Sequence, residues 1–484
     1  MSSQQVAAVD LGATSGRVIL GGVEGGRIRL SHVARFPNHI IPLHEGEAEG
    51  LHWDLPELFR NAAAGLAAAF RTGSDVVSVG IDSWAVDYAL MRSGRVLGLP
   101  YNYRDARTGA GVASVHADVD AASLYRANGL QHLDFNTLFQ LRVDALNGVL
   151  SLADSALMVP DLLGYWLTGE SRTEITNAST TGLLDPRTGQ WSTALFDALG
   201  LDHGLFAPLV RPGERVGTLL PGVAERVGAP SGVPLVAVGS HDTASAVVGV
   251  PMTSRNSAFI SSGTWSLVGQ ELDAPVITEA SREANFTNEG GVDGRTRFLK
   301  NVSGLWILTE SMKQWELEDG VAATGEQRSS DLQSLLAAAG AVTADVAVFD
   351  AADARFVPPG DMPSRIASWC EEHGQSAPRT RPEFVLSILR SLASAYAETL
   401  SEATRLSGVP VETVHVVGGG SQNVLLCQLT ADATGLPVVA GPVEATAIGN
   451  VLVQTRAAGL TPGSLEDLRS LVIDSFETVT YLPR

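Results

Sequence analysis

The stretch VAAVDLGATSGRVIL, residues 6–20, decides the fold: an apolar strand ends in an aspartate and runs straight into a glycine-rich turn. Such turns often cradle phosphate, because exposed backbone N–H groups can point at an anion. Two familiar templates do not fit. A P-loop needs G-x-x-x-x-G-K-[ST], and no lysine follows Gly12 or Gly16. A dinucleotide fingerprint needs G-x-G-x-x-G opening a helix, whereas GRVIL continues as apolar, β-branched residues. The pattern predicts strand, turn, strand: a hairpin with Asp10 at its mouth and Arg17 just beyond.

The chain has 484 residues, too many for one core, which predicts at least two domains. Its net charge of −20 offers no basic stripe to nucleic acid or to an anionic membrane. An anionic ligand would need a local pocket of backbone N–H groups, arginine and metal. Lysine is confined to Lys300 and Lys313, and the two cysteines, Cys370 and Cys427, are too far apart in sequence for a C-x-x-C site. MSSQQVAAVD has neither a basic leader nor a long apolar run, and no stretch reaches the ~18 apolar residues of a membrane span. A cytoplasmic location is the expectation.

Strands alternate with helices along the chain, which predicts α/β architecture. VVSVGIDSWAVDYAL reads as strand, turn, strand, and residues 120–170 as helical, including VLSLADSALMVPDLLGYWLTG. VPLVAVGSHDTASAVVGV reads as a buried strand, a polar turn and a helix. After the linker PMTSRN, SAFISSGTWSLVGQ repeats the plan of the first hairpin, suggesting two halves built alike. RPEFVLSILRSLASAYAETLSEATRLSG reads as a long helix ending near Gly408, followed by a strand, the glycines 418–420 and a helix. Residues 325–365 carry the least pattern and read as a lid or excursion.

Four polar turns therefore follow apolar strands: DLGATSGR, SHDTAS, SSGTWS and GGGSQN. Alone, each has a plain structural reading. Asp242 reads better as an N-cap than as a catalyst, Asp10 as a solvated turn residue, His241 and Thr264 as ordinary polar residues, and the glycine run as a tight turn. As an ordered set they supply what phosphoryl transfer from ATP needs: a carboxylate near metal, phosphate turns, and a base for the acceptor hydroxyl.

In order and wording, these stretches resemble the FGGY carbohydrate kinases, relatives of the actin and hexokinase (ribonuclease H-like) fold. The resemblance runs nearly end to end, through AVDLGATSGRV, GLPYNYRDARTG, FNTLFQLR, SHDTASAV, SSGTWSL, NEGG, LKNVSGLW, VGGGSQN and AGPVEATAIGN. It implies two α/β domains around a central cleft: residues 1–247 on the sugar and phosphate side, 248–484 on the adenine side. It implies ATP and Mg2+ as cofactors and phosphorylation of L-rhamnulose on its 1-hydroxyl, in the breakdown of L-rhamnose. Carried over residue by residue, ATP contacts fall on Ala13, Thr14, Ser15, Gly16, Arg17, Thr264, Thr309 and Gly419. Sugar contacts fall on Ala85, His241, Asp242, Thr243 and Asn301, with Asp242 the catalytic base and Asp10 near the magnesium. Two positions depart from the family pattern: Ala85 stands where W-G-V-D has glycine, and Thr309 where a nucleotide-contacting glutamine is usual. Partners are then sugar and ATP, with neither nucleic acid nor membrane, in a monomer or small homo-oligomer. The alternatives are a kinase for a related ketose (L-fuculose or xylulose) and an actin- or chaperone-like ATPase. Arg104, Asp105 and Arg107 read equally as pocket residues or as a structural ion-pair loop.

Overall fold

The computed structural model describes residues 4–46, 48–72, 75–320, 325–461 and 463–484. Packing divides the chain into two units. The first gathers Met1–Arg255, Glu271–Leu299 and Glu444–Glu477; the second gathers Asn256–Gln270, Lys300–Val443 and Thr478–Arg484. The first passage between them lies a few residues beyond the expected boundary at 247, but two later segments return to the first unit.

In the first unit, the opening stretch forms the antiparallel strands β1 (Gln5–Leu11) and β2 (Ser15–Glu24), extended by β3 (Arg27–Pro37). On its other side β1 pairs in parallel with β4 (Val76–Ser83). The sheet ends with β5 (Arg215–Thr218) and β6 (Pro234–Val236), in the order β5–β6–β4–β1–β2–β3. β1 is apolar on both faces because both are covered. One face carries α1 (Leu55–Arg71), which buries Leu55, Leu58, Ala62, Leu66 and Ala69 at three-four spacing and is capped by Asp54. Where α1 crosses Val18 it has Gly65, whose added Cβ would stand 3.0 Å from the Val18 Cβ. The opposite face carries the helix Ala445–Ala457, with Val451 packed on Val6 and Ala8.

That helix explains the return of residues 444–477 to the first unit. It lies backbone to backbone against α2 (Asp242–Val248), with Gly449 under the Ser245 carbonyl and Gly249 under that of Ala445. No larger residue fits at either crossing.

One expectation changes in this unit. Tyr88–Arg92 is the strand expected after the turn, and it pairs with Ser155–Met158 in a separate small sheet. The helix expected through VLSLADSALMVPDLLGYWLTG is therefore interrupted, and Val159–Thr168 begins afresh with Pro160 in its first turn, where no N–H is needed.

The second unit repeats the plan. β7 (Ser257–Ser262) and β8 (Trp265–Leu272) form an antiparallel hairpin, and β7 pairs in parallel with β9 (Thr413–Val417), which pairs in parallel with β10 (Val438–Ala440). The expected long helix, α3 (Arg381–Ser407), starts in a Thr380–Glu383 capping box and stops at Gly408 in the left-handed conformation. Residues 325–365 are no excursion: Ala339, Val346, Ala347, Phe349, Ala351, Phe356 and Met362 lie in this unit's apolar core. Ser387 and Ser391 of α3 bond the Ala347 carbonyl and the Phe349 N–H, so backbone polarity there is satisfied by side chains. The sequence hid this because small alanines and irregular backbone leave no periodic signal. Among the described residues, no helix is long and apolar enough to cross a membrane.

Overpacking a tight core contact typically costs ~1–3 kcal/mol. Gly449→Ala should therefore lower the urea midpoint of unfolding and also reduce turnover, since α2 carries Asp242. Gly109→Ala, whose added Cβ meets nothing within 4 Å, should leave both unchanged.

Candidate active site

Ligands of open α/β sheets gather at the carboxyl ends of the strands. Three loops converge there in the first unit. The Ser83 N–H donates to the Ser240 carbonyl at 2.8 Å, and the Trp84 N–H to the Leu11 carbonyl at 3.2 Å. This joins the ends of β1 and β4 to the turn before α2.

Strand register then fixes the charges. Asp10 pairs with Arg17 across the hairpin and with Asp82 across the parallel neighbour. Paired residues share a face, and this is the face covered by Ala445–Ala457. Arg17 donates to Asp10 from Nε and Nη2, both at 2.8 Å, and its Nη1 lies 2.6 Å from Glu444. Burial lowers the affinity of Arg17 for its proton, but Asp10 and Glu444 more than restore it, so the net shift is upward. Asp82 is wholly buried; its Oδ2 accepts from Asn450 at 2.5 Å while its Oδ1 has no hydrogen-bond partner. Burial, reinforced by Asp10, pushes this carboxyl well above its ordinary range. Gln454 bonds Asn450 and Ser78 behind it, and Gly80 leaves room, since its added Cβ would stand 2.6 Å from the Gln454 amide nitrogen.

In the hairpin turn, the Gly12 N–H bonds the Ser15 carbonyl, and Asn38 ties the carbonyls of Thr14 and Gly12. The N–H groups of Ala13 and Thr14 have no partner among the described residues, so they are available to an anion. Gly16 is required by packing rather than by φ, because an added Cβ would stand 2.9 Å from Leu11 Cδ2 and closer still to Phe36.

Asp242 is not the N-cap. His241 holds that position without a side-chain cap bond, and Asp242 is the first helical residue. Neither neighbour caps instead: the Ser240 hydroxyl and N–H both go to Glu174 Oε2, and the Thr243 hydroxyl goes to Asp242 Oδ1 at 3.2 Å. The Asp242 carboxylate, bonded locally by Thr243, is 31% exposed, with His241 Nε2 3.5 Å away. Burial raises its pKa against the pull of His241, and Asp10 adds to the rise.

Ala85 lies in a tight turn closed by the Asp87 N–H on the Ala85 carbonyl at 2.9 Å, with Val86 between them at φ 66. A β-branched residue with positive φ is strained and must be held. Thr137 bonds the Val86 carbonyl at 2.7 Å, and Asp87 anchors the turn by accepting from Trp53, Trp84, Gln140 and the Tyr103 N–H. Asp105 and Arg107 form an ion-pair loop: Asp105 accepts from the N–H groups of Leu51 and Arg107, while Arg107 pairs with Asp144. Arg104 lies 5.1 Å from the centre of the Tyr103 ring.

Thr264, Asn301, Thr309 and Gly419 belong to the second unit. Thr264 sits in the β7–β8 turn, where its carbonyl accepts from the Trp306 N–H; Gly304 is needed beside it, because an added Cβ would stand 2.6 Å from the Trp265 carbonyl carbon. Asn301 is half-buried in the strand Thr296–Ser303, and Thr309 is exposed on the helix Trp306–Asp319. The three glycines differ. Gly418 has φ 79 and would press a Cβ to 2.8 Å from the Ser262 carbonyl, and Gly420 would collide with the Ser262 hydroxyl. Gly419 is exposed and faces open space. So two glycines serve the turn, and the middle one leaves a surface on which a planar ring could lie.

Sequence reasoning missed Asp82, Asn450 and Asp87. A signal for Asp82 was available: SVGID ends an apolar strand on aspartate just as AAVD does.

Two family models describe the chain. The N-terminal domain of the FGGY family of carbohydrate kinases matches residues 5–249, and its C-terminal domain matches 258–458. A rhamnulokinase of Bacteroides thetaiotaomicron is 41% identical, covering 99% of this chain and 96% of its own. One of Pectobacterium carotovorum is 40% identical, covering 100% and 94%. Among solved structures, a ligand-bound xylulose kinase of Lactobacillus acidophilus superposes with a TM-score of 0.78 at 15% identity, covering 99% of this chain and 94% of its own. The ADP-bound glycerol kinase of Plasmodium falciparum gives 0.74 at 14%, covering 100% and 94%, a likeness of fold.

Asp87 yields a pH prediction. Burial raises its carboxyl from 3.8 to about 6, against the four donors that favour the anion. The unfolded chain releases this proton near pH 4 and the folded chain near 6. The group's contribution to stability is therefore full below pH 4, declines as pH rises towards 6, and is level above. Because Trp53 and Trp84 both donate to it, intrinsic tryptophan fluorescence should change with a midpoint near pH 6. The Asp87→Asn variant should lose that transition.

Proposed function

The chain belongs to the FGGY family of carbohydrate kinases, and we propose that it transfers the γ-phosphoryl group of ATP to the 1-hydroxyl of L-rhamnulose, giving L-rhamnulose 1-phosphate. The sugar assignment is supported by whole-chain identity of about 40% to relatives named rhamnulokinase. The observation that carries the chemistry is Asp242, a partly exposed carboxylate at a strand–helix junction that is not the helix N-cap.

Asp242 accepts the proton of the attacking hydroxyl. Its raised pKa makes it a better base than a solvated aspartate. His241, Thr243, Ala85 and Asn301 contact the sugar. The free N–H groups of Ala13 and Thr14, together with Ser15, Gly16 and Arg17, receive phosphate oxygens, and Thr264, Thr309 and Gly419 receive the nucleotide.

Magnesium suits the residues present. Mg2+ is usually held by one or two carboxylates plus phosphate oxygens and water. Asp10 and Asp82 are two such carboxylates on one sheet face, and the unpartnered Asp82 Oδ1 is the buried lone pair that a cation would satisfy. A bound Mg2+ would neutralise phosphate charge.

A site that hydrogen-bonds several hydroxyls rejects analogues that leave its polar groups unpaired. L-rhamnulose should give the highest kcat/KM in a coupled ADP assay across a ketose panel; equal or better turnover of L-fuculose, D-xylulose or glycerol would contradict the assignment. ATP hydrolysis that ignores every sugar would favour the actin-like ATPase reading.

Asp242→Asn tests the base. General-base removal costs ~10²–10⁴-fold in rate. The variant should fold, bind ATP and sugar by calorimetry, and turn over at least a hundredfold more slowly. Retention of more than about a tenth of the activity would refute the role.

A further inference from the structure

Behind His241 lies a buried charge pair that the proposed chemistry leaves unused. Arg297 is wholly buried and Glu289 nearly so. Arg297 Nη1 approaches Glu289 Oε2 at 3.0 Å, its Nε donates to the Gly290 carbonyl at 3.0 Å, and its Nη2 lies 3.1 Å from His241 Nδ1. A hairpin between Thr287–Gly290 and Thr296–Ser303 sets Glu289 directly opposite Arg297, so the pair arises from strand register.

The ring nitrogen facing this pair has two options. A guanidinium has donors only, so a hydrogen bond from Nη2 requires a bare Nδ1. Alternatively Nδ1 could carry a proton and donate to Glu289 Oε2, 3.3 Å away. That oxygen receives no hydrogen bond, however, while the Nη2 approach satisfies both distance and angle. A proton on Nδ1 would also point at a guanidinium hydrogen. The neutral ring must then carry its hydrogen on Nε2, the nitrogen 3.5 Å from Asp242.

We propose that Arg297, held by Glu289, fixes His241 as the Nε2–H tautomer, so that the sugar pocket is offered a hydrogen-bond donor beside Asp242. Arg297 and Glu289 are positioning residues that act through His241, and the inference rests on the reading of Asp242 as the base. A donor there binds a sugar oxygen through its lone pair and leaves the hydroxyl proton to Asp242. The other tautomer would set two acceptors side by side, competing for that proton. Burial alone would push Glu289 up, but the adjacent Arg297 guanidinium holds it net below its ordinary range, so the counter-charge to Arg297 persists.

The test is nitrogen-15 NMR of histidine-labelled protein, with His241 assigned by its absence in His241→Gln. Wild-type ring nitrogens should be bare at Nδ1 and protonated at Nε2. In Arg297→Met, Glu289 becomes the only partner of Nδ1, so the proton should move there. The KM for sugar should rise at least about tenfold with the KM for ATP unchanged, as expected for loss of a polar contact to sugar. If that variant does not fold, His241→Gln and His241→Asn decide: the glutamine nitrogen stands near Nε2 and the asparagine nitrogen near Nδ1, so Gln should retain the lower sugar KM. A wild-type proton on Nδ1, an Arg297→Met enzyme with unchanged tautomer and sugar KM, or an Asn variant as good as Gln would each overturn the proposal. Failure of the kinase reading would register separately, as wild-type protein that turns over no ketose whatever its tautomer.

Discussion

Two carboxylates in register at the ends of neighbouring parallel strands impose the constraint on which the site depends. Adjacent strands lie ~5 Å apart, and like charges at that spacing repel by about 3 kcal/mol at an effective dielectric near 20. Asp10 escapes through Arg17, itself steadied by Glu444, whereas Asp82 receives only an amide hydrogen bond from Asn450. Burial and the neighbouring Asp10 therefore raise the proton affinity of Asp82, and a divalent cation brought with phosphate would relieve the repulsion between the two. Both Glu444 and Asn450 come from one segment, which is why residues 444–477 have to return to the first unit.

That return depends on glycine in ways composition does not disclose. Gly21 admits Val451, Gly80 admits Gln454, and Gly449 admits the Ser245 carbonyl; at each, an added Cβ would collide. The same distinction resolves the run 418–420, where the outer glycines are required by Ser262 and the middle one is open.

The hairpins, the polar turns and α3 were legible, because a two-residue period, glycine after a strand and a capping box are local signals. Asp10, Asp242 and Gly419 stood out as candidates because each punctuates an apolar run, and the family resemblance, not the local pattern, assigned them roles. What remained hidden is non-local. Asp82 is separated from Asn450 by 368 residues, and Arg297 from His241 by 56, so only strand register and helix crossing bring them together. The core role of residues 345–356 was hidden for another reason: apolar side chains on irregular backbone carry no period, and the backbone there is satisfied by serine hydroxyls of α3.

The start of α2 is where local rules and chemistry part. Read alone, SHDTAS offers three good capping side chains, and a missing cap typically costs ~1 kcal/mol. Yet none is used. Glu174 draws Ser240 away with two hydrogen bonds, His241 is turned towards Arg297, and Asp242 stands inside the helix with its carboxylate facing outward. A helix left uncapped beside three possible caps has been organised by something other than its own stability. Glu174 is the cause closest to hand, since by accepting from Thr176, Asn177 and Ser240 it caps a different helix, Ile175–Ala178. One buried carboxylate thereby satisfies the backbone of a neighbouring segment and, in the same place, withholds Ser240 from the start of α2.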